Sequence, residues 1–114
     1  MTEGSSSSVP ELEELALEGV VRARFPVVHY NSSTLVESQR AGWSSIYDEP
    51  IEHLYWIVTE RGVRRRWGKH DRTTDRYAVV QGRVEVALVD DREGSPTRGD
   101  LVTVVLDAAA GDGL

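Results

Sequence analysis

With 114 residues and a mass of 12.7 kDa, 39% hydrophobic and 28% charged, the chain has material for one small domain of ordinary composition. A formal net charge of -6 excludes nucleic-acid binding through bulk charge, so any anion site must be local. Cysteine is absent, which excludes disulfides, cysteine-ligated zinc and thiol catalysis.

In chain order, residues 1–9 are polar and serine-rich and are expected to be a disordered tail, too poor in apolar surface to offset the entropy of ordering. A folded part then runs over 10–114. Pro10 opens PELEELALEG, whose Leu12 and Leu15 share a side and whose Gly19 is a stop signal; this predicts a short amphipathic helix, or alternatively an extended arm packed on a neighbouring subunit. From there VVRARFPVVHY is β-branched and aromatic, with Pro26 splitting it into two short strands, and Asn31 to Ser33 form a turn. TLVESQRAGWSSIYD reads as strand, turn, strand. After Pro50, HLYWIVTE reads as the best strand of the first half, ended by a turn at Arg61-Gly62.

The segment Gly62 to Gly82 follows, and behind it RVEVALVDD alternates so that Val84, Val86 and Leu88 share one face. REGSPTRG is turn chemistry, DLVTVVLD a further strand, and AAAGDGL closes the sequence. Short strands at this spacing predict an all-β, antiparallel sandwich or barrel. No basic-then-apolar leader and no membrane-length apolar run occurs, so a cytoplasmic protein with no membrane partner is expected.

Gly62, five residues, Gly68, one residue, His70, four residues, Asp75, six residues, Gly82 is a spacing that resembles the first cupin motif, G(X)5HXH(X)3-4E(X)6G, with Gly68 in the first histidine slot and Asp75 in the glutamate slot. VEVALVDDREGSPTRG in turn resembles the DxR-x-SPT-x-G segment of the RmlC-like cupins, the dTDP-4-dehydrorhamnose 3,5-epimerase family. The resemblance implies an antiparallel jelly-roll β-sandwich. Family members continue past the equivalent of AAAGDGL into further strands with a Pro-Gly-His turn and an acidic tyrosine, so the domain is expected to be a partial one. Unpaired strand edges in a half-sandwich recruit another chain, so either two copies complete each other's sheets as a homodimer or the sequence is a fragment that lacks its downstream partner.

The family also implies a function: an isomerase that abstracts the proton next to the 4-keto group of a nucleotide-linked deoxysugar, without metal or other cofactor. Such chemistry needs a base titrating near neutrality and cationic groups at the developing oxyanion. His70 fits the base, with the register open between RGxH and RGxHxH forms of the motif. If Trp67 faces outward on a strand, Arg64, Arg66, Gly68 and His70 form the inward set, giving Arg64 and Arg66 the pyrophosphate or enolate. Asp75 either orients the His70 ring or pairs structurally with Arg76 or Arg92. Arg92 has two readings as well: a place near the nucleotide by the resemblance, or a turn partner of Asp90 beside Ser95-Pro96-Thr97.

The metal-binding form of the motif keeps only His70 and Asp75 here, too few ligands for a stable site. A non-catalytic sandwich module that binds a sugar nucleotide or dimerises is the competing reading. Run as a bland pattern, the arginines are a solvated face, and Trp43, Trp56, Trp67, Tyr47, Tyr55 and Tyr77 are core or interface groups. His29 and His53 have no chemical company in sequence and are expected at the surface.

Overall fold

The structure, a computed structural model, describes residues 9–43 and 49–114. Apart from 3-10 turns at Ala41–Trp43 and Ala108–Ala110, the regular elements among these residues are β-strands, and all the ladders between them are antiparallel. The chain is therefore all-β, as the strand spacing predicts. By its contacts it divides into one unit of residues up to Arg40 together with Asp75–Leu114, and a second of Ala41–Thr74.

The first unit holds three small sheets. In the first of these, β1 (Glu11–Glu14), β2 (Val21–Arg24) and β7 (Asp112–Gly113) lie in the order β1-β2-β7. The helix expected from Pro10 does not form. Its residues are extended and docked on their own chain, because the alternation in ELEE sets Glu11 opposite Arg24 and Glu13 opposite Arg22 across the ladder. The Glu13 carboxylate and the Arg22 guanidinium close to 2.6 Å, and unlike charges on facing strands favour pairing over a lone helical turn. Between β1 and β2 the chain reverses through a bond from Leu15 N–H to the Val20 carbonyl at 2.9 Å, with Gly19 at φ 76°.

Pro26 separates β2 from β3 (Val27–Tyr30), which pairs with β4 (Ser33–Val36) across a turn where Asn31 adopts φ 53°. The third sheet is the hairpin of β5 (Arg83–Val89) and β6 (Leu101–Asp107), registered from Arg83 opposite Asp107 to Val89 opposite Leu101. On β5, Val86 and Leu88 are shielded more than the residues between them; Val84, which the alternation groups with them, is 40% exposed. On β6, Val104 and Leu106 are buried, and with Leu17, Ala23 and Phe25 they make the core of this unit. A bond from Arg22 Nη1 to the Val105 carbonyl at 3.4 Å ties β2 to β6.

Strand β7 is the element the sequence conceals. Its Gly113 pairs with Ala23 on one side and bridges Ala78 on the other, and Tyr77 and Leu114 exchange both backbone bonds at 2.9 Å. Asp112 is buried; its Oδ1 accepts from Arg24 Nε at 2.9 Å and its Oδ2 from the Asp107 amide at 3.1 Å. Glycine at position 113 lets the backbones close in, since a Cβ there would run into the Tyr77 carbonyl oxygen and stand 2.5 Å from Phe25 Cε2.

In the second unit, Ala41–Trp43 form a 3-10 turn and Trp43 is buried. The strand expected at HLYWIVTE is not formed: residues 53–60 belong to no strand, and Leu54 to Val58 are exposed. High β-propensity makes a strand only where a ladder partner accepts the backbone groups, and among the described residues no strand is paired with this run. The strand expected after Gly42, over Ser44 to Asp48, lies outside the described residues, as does most of the expected disordered tail. Among the described residues no helix is long and apolar enough to cross a membrane.

Candidate functional site

The REGSPTRG loop joins β5 to β6 and is built around one carboxylate. Asp90 is buried, and its backbone continues the hairpin through bonds with Gly99 N–H at 2.7 Å and the Asp100 carbonyl at 3.1 Å. Gly94 and Gly99, at φ 76° and 90°, let the chain turn back over it. The carboxylate accepts from five donors. Arg92 supplies its amide and Nε to Oδ1, at 3.0 and 2.9 Å, and Nη2 to Oδ2 at 2.8 Å. Ser95 Oγ and Thr97 Oγ1 donate to Oδ2 at 2.5 and 2.6 Å.

A carboxylate held by a forked guanidinium and two hydroxyls is stabilised in its charged form. The Asp90 carboxyl is accordingly held far below the usual carboxylate range, by the Arg92 side chain first, then Ser95 and Thr97, against the opposing effect of burial. The same bond raises Arg92 above its ordinary value. Arg92 and Thr97 then reach across the unit: Arg92 Nη2 donates to the Glu18 carbonyl at 2.5 Å, and the Glu18 amide donates to Thr97 Oγ1 at 2.9 Å. The pairing of Asp90 with Arg92 that the turn composition suggests is thus formed, and Arg92, the substrate-binding candidate in the first unit, has its guanidinium engaged in this loop.

Asp75 lies at the start of the returning segment of the first unit. Its Oδ2 accepts from the Tyr77 hydroxyl, two residues on, at 3.1 Å. Tyr77, expected among the core and interface groups, is 48% exposed.

His70, Arg64 and Arg66 belong to the second unit, where all three are exposed. Residues 63–70 form no strand, so the alternation that sorts them into inward and outward faces does not apply to this backbone. His29 and His53 are exposed as expected: His29 Nδ1 sits 3.1 Å from Thr34 Oγ1, and the His53 ring lies 5.0 Å from that of Tyr55. Trp43 is buried as a core group should be, whereas Trp56 and Trp67 are exposed. Tyr47 is outside the described residues. In the first unit a shallow groove of about 180 Å³ is lined by Glu11, Leu12, Glu13, Arg22 and Arg24, none of them a candidate from the sequence. Within it Arg22 pairs with Glu13, and Arg24 pairs with Asp112.

Gly68 stands where the metal-binding motif has a histidine, and among the described residues no three of His, Cys, Asp and Glu come together as ligands could.

An antiparallel β-chain with an Asp-Arg-Ser-Thr loop and a single histidine in its glycine-spaced motif can be set beside known proteins. It is similar to a Haloferax volcanii protein named a probable low-salt glycan biosynthesis epimerase, Agl13, at 40% identity over 73 residues. The matched stretch is 63% of this chain and 46% of that relative, so the chain spans about half the length of the curated protein it matches. No protein-family profile matches the chain, and no solved structure matches it.

Proposed function

We propose that the chain belongs to the RmlC-like cupins and carries the proton-abstracting part of a sugar epimerase or isomerase acting on a nucleotide-linked 4-keto deoxysugar, of the dTDP-4-dehydrorhamnose 3,5-epimerase type. The observation that carries this is the 40% identity to a protein named a glycan biosynthesis epimerase. The cupin-like glycine spacing around His70 and the all-β antiparallel build support it.

In this reading His70 removes the proton from the carbon beside the keto group, and the electron pair moves into an enolate whose oxygen gains negative charge. Imidazole suits the step because its proton affinity lies near neutrality. Arg64 and Arg66 supply positive charge to the enolate or the pyrophosphate, Asp75 orients the His70 ring, and Arg92 contributes near the nucleotide while holding Asp90. Return of a proton to the opposite face completes an epimerisation. No metal or cofactor takes part, the active form is a homodimer, and the setting is cytoplasmic.

The test is to incubate the protein with dTDP-4-keto-6-deoxyglucose in deuterated water and follow exchange at C3 and C5 by NMR. His70→Ala is expected to lower exchange by roughly 10²–10⁴-fold while leaving calorimetric binding of the sugar nucleotide intact. Unchanged exchange in that variant removes His70 from the mechanism. Binding without exchange in the unaltered protein favours a non-catalytic module instead.

A further inference from the structure

The chain has one asparagine, and it stands at the tip of a hairpin. Asn31 and Ser32 are the whole connection between β3 and β4, whose last facing pair is Tyr30 with Ser33, and Asn31 takes a left-handed φ of 53° there. From this placement we propose that Asn31 is a site of spontaneous modification, converted through a cyclic imide with Ser32 to a mixture of aspartate and isoaspartate.

The reaction needs no reagent but water. The Ser32 backbone nitrogen attacks Asn31 Cγ, a C–N bond forms as that nitrogen gives up its proton, and the side-chain nitrogen leaves as ammonia. Water then adds to one carbonyl of the five-membered imide and breaks its bond to the shared nitrogen. Opening at Cγ leaves an ordinary aspartate. Opening at the Asn31 backbone carbonyl carbon leaves isoaspartate, with the chain routed through the side chain.

The surroundings of Asn31 favour ring closure. Both residues are exposed, so water and base reach them. Among the described residues no hydrogen bond engages the Asn31 side chain or the Ser32 N–H, so neither reacting group has to be released from a partner. Ser32 is not branched with two heavy atoms at Cβ, which leaves its nitrogen open to approach. The same ring closure is chemically open to Asp112-Gly113, and there the fold blocks it. Asp112 is buried, its two carboxylate oxygens accept from Arg24 Nε and the Asp107 amide, and Gly113 lies between Ala23 and Ala78. Isoaspartate at position 31 would lengthen a two-residue connection that holds Tyr30 opposite Ser33, so the β3–β4 pairing frays from its tip.

The experiment ages the full chain in mildly alkaline buffer, with and without urea, and follows each site by peptide mapping and isoaspartate-specific methylation. Asn31 is expected to convert at comparable rates folded and unfolded, with isoaspartate among its products, whereas Asp112 isomerises only in urea. Ser32→Val is expected to slow conversion in the folded chain about tenfold by crowding the attacking nitrogen. Hydrogen exchange in the aged protein should accelerate along β3 and β4 while β5 and β6 keep their protection. An Asn31 that keeps its amide in the folded chain while converting in urea overturns the proposal. So does a conversion that yields no isoaspartate or that Ser32→Val leaves unchanged, since neither passes through the imide.

Discussion

Arg92 holds Asp90 by a fork and, with the same Nη2, holds the carbonyl of Glu18. A loop between two strands thereby fastens a turn from the other end of the chain. Thr97 completes the clasp from the opposite side by accepting from the Glu18 amide. Both backbone groups of one N-terminal residue are thus met by side chains of the SPT loop, and the paired charge inside that loop keeps those side chains in place.

The acid limit of stability follows from Asp90. Its carboxyl is depressed in the folded chain relative to about 3.9 when unfolded, so its contribution is present in full above that value and is lost as the pH falls through and below it. Melting temperatures recorded from about pH 7 to about pH 2 should show a decline in the unaltered protein that sets in near about pH 4 and steepens below it. Asp90→Asn should melt lower near neutrality and decline less steeply, so the two curves converge in acid. Parallel curves would mean the depression of Asp90 contributes nothing.

Thr97→Val preserves shape and removes the hydroxyl that Asp90 and Glu18 share. The cost is expected at about 1–3 kcal/mol, the range for leaving a polar partner unmet, read from urea unfolding. Hydrogen exchange should accelerate at the Glu18 amide before it does along β5 and β6. A uniform change along the chain would show that the clasp does not act locally.

Gly113→Ala places a methyl against the Tyr77 carbonyl and the Phe25 ring. It should destabilise by about 1–3 kcal/mol, as overpacking does. Gly68→Ala is the matching control, having nothing within 4 Å of the added carbon and no positive φ, and should stay within about 0.5 kcal/mol of the parent. Equal effects at the two positions would contradict the close approach described for β7.

The arginine pair of the functional reading has a direct test in binding. Arg64→Ala combined with Arg66→Ala should weaken dTDP-sugar affinity about tenfold or more, since charge-assisted bonds to phosphate are among the stronger ones, and the loss should shrink with added salt. Unchanged affinity would return both residues to the solvated face that their exposure alone describes.

Legibility in the sequence followed the range of the interaction. RVEVALV and LVTVVLD declare themselves through alternation, and REGSPTRG through its glycines and proline, since every contact that makes the hairpin lies inside it. ELEE misleads because its local preference is helical while its partner, VRAR, lies beyond a turn and supplies the countercharges. Asp112–Gly113 carries no strand propensity at all; it is extended because Arg24 holds the aspartate and because a missing side chain lets Phe25 and Tyr77 close in. In the β5–β6 loop, the Asp90-Arg92 pair could be picked out by residue type and spacing. The hydroxyl of Tyr77 on Asp75 could not, as tyrosine in a strand pattern ordinarily reads as packing.

The separation of contacts along the chain also suggests an order of assembly. The β5–β6 ladder and the bonds around Asp90 close within residues 83–107, whereas the first sheet closes only when Arg24 meets Asp112, 88 positions later, and the loop is clasped only when Glu18 meets Thr97, 79 positions apart. Short loops close at less entropic cost, so we expect the hairpin to be structured in the transition state and the N-terminal strands to join afterwards. High φ-values at Val86 and Val104 with low ones at Ala23 would bear this out, and the reverse pattern would refute it.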